Sequence, residues 1–241
     1  MPDKLEWFDQ EKIRKPRRTF FGGSPTVRYG LVVVMLMFIF LKFYPKMYEG
    51  QRLGGPIDDF FRKKYTNMLL VFPTGGNAAD SVVENYTRRV AVRLGEKLSA
   101  DIPVRADKKV SARTMRRKSL LLYGPLEHNL ILNKTEDKLP IRFRDGYPCR
   151  ADGSVIAVRD WRLIFLAPNP ENRTQYFLIY TAATPEQLVG INFMGSPNYV
   201  PHDTTDYVLA AGDSVLAAGF FDKDSSGVWS LPPGALDSAG R

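Results

Sequence analysis

The hydropathy pattern separates one solid apolar run near the start from a long region where apolar runs alternate with periodic stretches. Tyr29 to Leu41 carries no charged residue. Extended to Val27–Tyr44, the run holds eighteen residues, with Arg28 and Lys42 near its ends. A helix of that length spans roughly 27 Å at ~1.5 Å per residue, close to a bilayer core of about 30 Å. Arg28 and Lys42 have stems long enough to reach the interface, and Tyr29, Phe43, Tyr44 and Tyr48 sit where aromatic belts form. The pattern predicts an uncleaved transmembrane helix over residues 27–45, ended by Pro45. A secretory signal peptide fits less well: a long segment precedes the run, and the bulky Phe43-Tyr44-Pro45-Lys46 follows where small residues would be needed.

Beyond a linker over residues 46–66, rich in glycine, the pattern reads as an α/β domain over 67–230. Met68–Phe72 is a continuous apolar run of strand length, ended by Pro73-Thr74-Gly75-Gly76-Asn77. Ala79, Val82, Val83, Tyr86, Val90, Leu94 and Leu98 recur at helical spacing, with Asn77 or Asp80 as cap and Arg88, Arg89, Arg93 and Lys97 on other faces. Ile102–Val104 reads as a short strand, Ser111–Lys118 as a basic helix and Leu120–Tyr123 as a second solid strand. Strands of this kind alternating with helices predict a largely parallel sheet covered on both faces. Ile141-Arg142-Phe143-Arg144 alternates, and Ser154–Val158 follows the turn Ala151-Asp152-Gly153. Trp161–Ala167 and Tyr176–Tyr180 read as strands flanking Pro168-Asn169-Pro170. Thr184 caps a short helix with Pro185 in its first turn. Tyr207–Ala211 and Ser214–Phe221 form a closing hairpin around Gly212-Asp213, and residues 231–241 read as a flexible tail. The fold class expected is therefore α/β: a single transmembrane helix, then one three-layer α/β domain with a largely parallel sheet and a C-terminal β-hairpin.

Charge changes the picture only once it is located. The net charge of +8 breaks into +3 over residues 1–30, +1 over 31–50, +9 over 51–150 and −5 over 151–241. Residues 1–26 form a basic tail. More Lys and Arg lie just before the apolar run than just after it, which predicts a cytoplasmic N-terminus and an outer domain, in a bacterial inner membrane with the domain in the periplasm. Within the tail, Trp7, Phe8, Phe20 and Phe21 interleave with Arg14, Arg17 and Arg18. Aromatics among arginines suit either a protein partner or anionic lipid headgroups. Residues 105–118 hold seven Lys/Arg and one Asp, among them Arg105, Arg113, Arg116 and Arg117, a second candidate docking face. No aromatic residue stands in that stretch for base stacking, so nucleic acid is not the expected partner.

Composition and motifs limit the chemistry. With 12% aromatic and 44% hydrophobic residues the chain can bury a core, and one cysteine, Cys149, excludes a disulfide scaffold. A mean hydropathy of −0.24 excludes a multi-span membrane protein. The Gly-x-Ser-x-Gly elbow and the phosphate-loop pattern are absent. Thr74-Gly75-Gly76-Asn77 is the nearest analogue of an anion-holding turn, but it lacks a lysine and reads better as a tight turn. His128 and His202 are far apart in sequence, and Ser196, His202 and Asp206 lie in one stretch too short to converge as a triad. No catalytic residue, cofactor or metal is expected. Asn85, Asn133 and Asn172 open glycosylation-type sequons, which carry no weight in a bacterial protein.

These residues resemble a known arrangement. An apolar strand into Thr74-Gly75-Gly76 and a long helix, Leu120-Leu121-Leu122-Tyr123-Gly124-Pro125-Leu126-Glu127-His128-Asn129, Leu139-Pro140-Ile141-Arg142-Phe143, Pro168-Asn169-Pro170 and Ala217-Ala218-Gly219-Phe220-Phe221-Asp222 follow in one order. They are similar to the accessory α/β module beside bacterial prolyl-oligopeptidase and esterase-type hydrolase domains, over about residues 66–224. The resemblance implies a non-catalytic scaffold. The expected function is an accessory subunit that docks onto and stabilises a larger membrane complex; energy-transducing assemblies, including photosynthetic reaction-centre and antenna complexes, are among its homes. The alternative is a membrane-anchored hydrolase-related or ligand-binding periplasmic protein.

Overall fold

Among the described residues a central sheet of seven strands organises the fold. The structure is a computed structural model that describes residues 56–64, 67–76, 80–193, 204–225 and 227–237. The expected tail (1–26), the expected membrane helix (27–45) and most of the linker lie outside the described residues. Among the described residues no helix is long and apolar enough to cross a membrane. All of them fall in one compact unit, Gly50–Arg241.

Two of the parallel strands follow the solid apolar runs. β1 (Met68–Phe72) and β3 (Ser119–Tyr123) are buried at every position, because each is covered on both faces. β2 (Val104–Ala106) pairs parallel with β1, and β1 pairs parallel with β3. β7 (Tyr176–Ala182) extends the parallel half by pairing with β3. The sheet then changes sense. β6 (Trp161–Pro168), β8 (Tyr207–Ala211) and β9 (Ser214–Gly219) are joined by antiparallel ladders. The expectation of a largely parallel sheet therefore holds for β2, β1, β3 and β7 and gives way beyond them. The physical reason is connection length. A parallel crossover needs a dozen or more residues, and the short turn after Pro168 can only return the chain antiparallel. The expected hairpin around Gly212-Asp213 is β8–β9.

α2 (Asp80–Leu98) packs on β1 and β2, and α5 (Pro185–Leu188), capped by Thr184 as expected, packs beside it. The buried stripe of α2 is Val83, Thr87, Ala91 and Leu94. It is rotated from the face expected, leaving Val82 partly exposed, because the Thr87 hydroxyl satisfies itself on the Val83 carbonyl at 2.8 Å and so tolerates burial. α3 (Ala112–Arg117) starts at Ser111, whose side chain accepts from the Thr114 amide. α4 (Leu130–Thr135) is capped by Asn129. Phe143 of the hairpin β4 (Phe143–Arg144)–β5 (Tyr147–Pro148) meets Trp161, and Phe221 meets Tyr207. Trp161 and Tyr207 share a face by register, so this hairpin and the C-terminal strands β10 (Asp222–Lys223) and β11 (Trp229–Ser230) cover it.

Two boundaries differ from the sequence reading. Residues expected as linker contain α1 (Ile57–Lys64), whose Ile57, Phe60 and Phe61 are buried in the core. Its apolar positions at spacings of three and one make too short a pattern to stand out beside two glycines and a proline. The expected flexible tail is packed as far as Leu236, which is buried and whose carbonyl accepts from Arg150 Nε at 3.3 Å.

Candidate functional site

An open sheet takes ligands in the crevice beyond the carboxyl ends of its parallel strands, where successive connections leave in opposite directions. Here that point lies between β1 and β3: the chain leaves β1 toward β2 on one side and returns from β2 to β3 on the other. Three segments meet there, Pro73–Gly76 after β1, Asp107–Lys109 after β2 and Gly124–Leu130 after β3.

The polar groups at this point are turned on one another. Asp107, 2% exposed, accepts from the Thr74 amide at 3.1 Å, the Leu130 amide at 2.8 Å, the Lys108 amide and the Thr74 hydroxyl. The Gly75 amide donates to the His128 carbonyl at 2.9 Å. The Gly76 amide donates to Asp80 Oδ2 at 2.8 Å, and Asp80 Oδ1 meets His128 Nδ1 at 3.0 Å. Every described amide of the Thr74-Gly75-Gly76 turn therefore has an internal acceptor. In a ligand-binding turn of this kind an anion accepts those bonds; here the chain's own carboxylates and a carbonyl do. The glycines are required by close approach. A Cβ on Gly75 would stand 2.8 Å from the His128 carbonyl oxygen, and one on Gly76 would collide with the His128 ring. The tight-turn reading of this motif is the one the geometry fits.

Below the crevice the packing is aromatic. Tyr123 stacks on Tyr180 with centroids 4.5 Å apart, and its hydroxyl shares Asn192 with that of Tyr86. Burial pushes the Tyr123 phenol well above its ordinary range, and the neighbouring Tyr86 adds to the effect. Beside it, Leu126, Glu127, Glu136, Phe143, Asp145 and Trp161 border a cavity of about 220 Å³ that reaches neither His128 nor Thr74. Cys149 is buried, and burial raises its thiol, the opposite of what a nucleophile needs. Among the described residues no group of three His, Cys, Asp or Glu side chains converges to hold a metal.

Of the candidate docking residues, Trp7, Phe8, Arg14, Arg17, Arg18, Phe20 and Phe21 lie outside the described residues, as do Ser196 and His202. Arg105, Arg113, Arg116 and Arg117 are all exposed, but they do not form one group. Arg105 stands on the edge strand β2. Arg116 and Arg117 sit at the far end of α3, where three asparagines hold the helix carbonyls: Asn169 Nδ2 donates to Met115 O at 2.7 Å, Asn172 Nδ2 to Arg116 O at 2.8 Å and Asn67 Nδ2 to Arg117 O. Arg116 also pairs with Glu171 at 3.6 Å. These asparagines were missed in the sequence, although Pro168-Asn169-Pro170 signals a turn whose polar side chain has a task. Asp80, Asp107 and Asp206 left no periodic signal at all.

No known family profile, curated protein or solved structure matches this chain.

Proposed function

We propose that this chain is a non-catalytic, single-pass accessory subunit of a bacterial inner-membrane complex, with its N-terminus in the cytoplasm and its α/β domain in the periplasm. The saturated crevice carries the reading. The place where such a sheet receives small ligands is filled by Asp107, Asp80 and the His128 carbonyl, while exposed arginines remain on α3 and β2 for a macromolecular contact. Resemblance to the accessory module of hydrolases points the same way. Energy-transducing complexes, photosynthetic reaction-centre and antenna assemblies among them, are homes consistent with a small anchored subunit of this kind. The test is purification in mild detergent with mass spectrometry of what co-purifies. Stoichiometric membrane subunits are the expected result, and a lone monomer on a native gel refutes the proposal. Deleting residues 1–24 then asks whether the tail docks: undiminished assembly reduces it to a topology signal.

One observation favours the alternative, an anchored hydrolase-related protein. His128 and Asp80 form an imidazole–carboxylate pair of the kind that orients a general base. The hydroxyl of the turn after β1, Thr74 Oγ1, donates to Asp107 instead. Ester turnover that His128→Ala abolishes would restore the catalytic reading.

A further inference from the structure

We infer that the cavity bordered by Trp161, Phe143 and three carboxylates is a binding site for a small organic ammonium ion that carries an oxygen acceptor. The inference goes beyond the accessory-subunit reading and stands or falls separately from the anchor.

The cavity lies one place along the sheet from the sealed crevice. Leu126 and Glu127 follow β3, and Ala182 ends β7, so it opens beyond the carboxyl ends of two neighbouring parallel strands. Trp161 begins β6, and its carbonyl accepts from the Ala183 amide at 3.1 Å. The hairpin β4–β5 closes the other side. Phe143 comes from its first strand, with its ring centre 5.9 Å from that of Trp161, and Asp145 from its turn.

The amides of the turn after β1 all have acceptors, whereas this cavity borders an unmet polar group. Trp161 is 2% exposed, and its indole Nε1 has no hydrogen-bond partner among the described residues. An indole nitrogen only donates, so the missing group is an acceptor. A buried donor left unmet lowers stability, and a bound oxygen restores what is lost. The carboxylates of the same wall do not supply that oxygen. A ligand that bridges the two places an oxygen at the indole and a positive charge toward the carboxylates.

The charge of the wall has one sign. It carries Glu127, Glu136 and Asp145 and, among the described residues, no Lys, Arg or His. The cations closest in the chain are committed elsewhere. Arg142 Nη1 donates to the Glu136 and Asp137 carbonyls, and Arg144 Nη2 would lie 4.0 Å from a Cβ on Gly153. His128 Nε2 is 3.8 Å from Glu127, while its Nδ1 meets Asp80. Lys134 and Lys138 are exposed and border no part of the cavity. Glu136 and Asp145 have no ion-pair partner among the described residues. Carboxylates beside aromatic rings attract an alkylated ammonium through its charge and through the ring quadrupole. The volume of about 220 Å³ is below the range of about 300–1,000 Å³ that takes drug-sized ligands, so the ligand is small.

The test titrates choline into the full chain in maltoside detergent by calorimetry, against sodium chloride at matched ionic strength. A saturable single-site isotherm with a dissociation constant on the order of 1 mM or tighter is expected. The uncharged isostere, with a tert-butyl group in place of the trimethylammonium, should bind about tenfold more weakly. Choline should lose about the same factor on the double variant Glu136→Gln, Asp145→Asn, whose melting temperature should not move. Glu96→Gln, on α2, should leave the affinity unchanged. Trp161→Phe removes the donor and should weaken choline about fivefold, while tetramethylammonium, which offers no acceptor, binds as before. Absence of saturable heat, equal binding of the isostere, or indifference to the double variant overturns the proposal. So does a short lysine peptide that binds more tightly than choline, because the cavity is then a socket for a partner's side chain. The carboxylate variants decide the matter where Trp161→Phe misfolds.

Discussion

The two ends of the sheet solve the same problem with different partners. At the carboxyl end a buried carboxylate, Asp107, is held by amides and a hydroxyl from three segments, with no cation bound to it. Toward the amino end a second one, Asp206, is fully buried just before β8. It accepts from the Phe221 amide at 3.0 Å and pairs with Lys223, whose ammonium also lies 4.7 Å from the Trp229 ring centre. Both tie a later segment to the sheet. Hydrogen-bond donors from the backbone cannot move, so the carboxyl end is closed and leaves no free donor at the turn after β1. The partner of Asp206 is a lysine on a two-stranded ribbon, a side chain that keeps part of its surface in solvent. The two buried carboxylates are therefore held differently, one by fixed backbone donors and the other by a flexible cation.

The difference can be broken hardest at Asp206. Asp206→Ala leaves Lys223 half-sheltered without its partner and the Phe221 amide without its acceptor. Removing one member of a buried pair costs about 3 kcal/mol or more. Urea denaturation should show that loss, and β10–β11 should lose exchange protection first. A loss below ~1 kcal/mol would mean that the C-terminal ribbon is held by Phe221 and Trp229 packing and not by the carboxylate. Lys223→Met is the companion: it keeps the stem but strands Asp206, and should cost nearly as much.

Asp107→Ala comes next. Four donors lose their acceptor, but water can reach some of them from the turn, so about 2 kcal/mol is expected. The sharper reading is chemical. With Asp107 removed, the Thr74 and Leu130 amides are freed at the strand ends, and inorganic phosphate or sulfate should then raise the melting temperature of the variant while leaving the native domain unchanged. An equal response in both would show that the native turn still holds anions, against the sealed crevice described above.

How much of this was readable beforehand follows from range. β1, β3, β6, β7, the α5 cap and the β8–β9 hairpin were legible because each is announced by a local pattern: a solid apolar run, Thr184-Pro185, or Gly212-Asp213. The Asn129 cap was not read from the sequence; only the structure shows it. α1 was not legible, since Ile57, Phe60 and Phe61 amount to two turns of helix embedded among turn-forming residues, and only the core they fill reveals them. The crevice was half legible. Thr74-Gly75-Gly76 announced a turn of special geometry, but what fills it comes from Asp107 and His128, more than thirty residues away. The basic run 105–118 was read as one face from its sequence, and the fold divides it between a strand edge and the end of a helix.

A smaller effect tests the carboxyl end by pH. The Tyr123 phenol lies at the end of β3, and its burial raises its folded-state value above the ordinary one of about 10. A group raised on folding stabilises fully below its unfolded value and loses that contribution as pH climbs through it. Stability should therefore be level below pH ~10 and fall above it by roughly 1.4 kcal/mol per unit, until the folded phenol ionises. Tyr207, raised first by burial and then by the Asp206 charge, adds a like contribution nearer the amino end. Tyr123→Phe should flatten the alkaline fall more than Tyr207→Phe, because Tyr123 is the more deeply buried. The reverse order would place the greater alkaline weakness at the Asp206 end.

The smallest effect is expected where binding is proposed. Arg116→Ala removes an ion pair with Glu171 between two half-exposed side chains at 3.6 Å. Pairs of that kind contribute about 0–1 kcal/mol. The backbone contact of Arg116, its carbonyl accepting from Asn172, survives the substitution. Thermal denaturation should therefore shift by less than about 0.5 kcal/mol equivalent. Asn172→Ala, which touches no charge but frees that carbonyl, should cost more, about 1 kcal/mol. Were Arg116→Ala the more damaging of the two, the guanidinium would be part of the structural frame at this end, and the surface it presents would owe its charge to folding instead of to a partner.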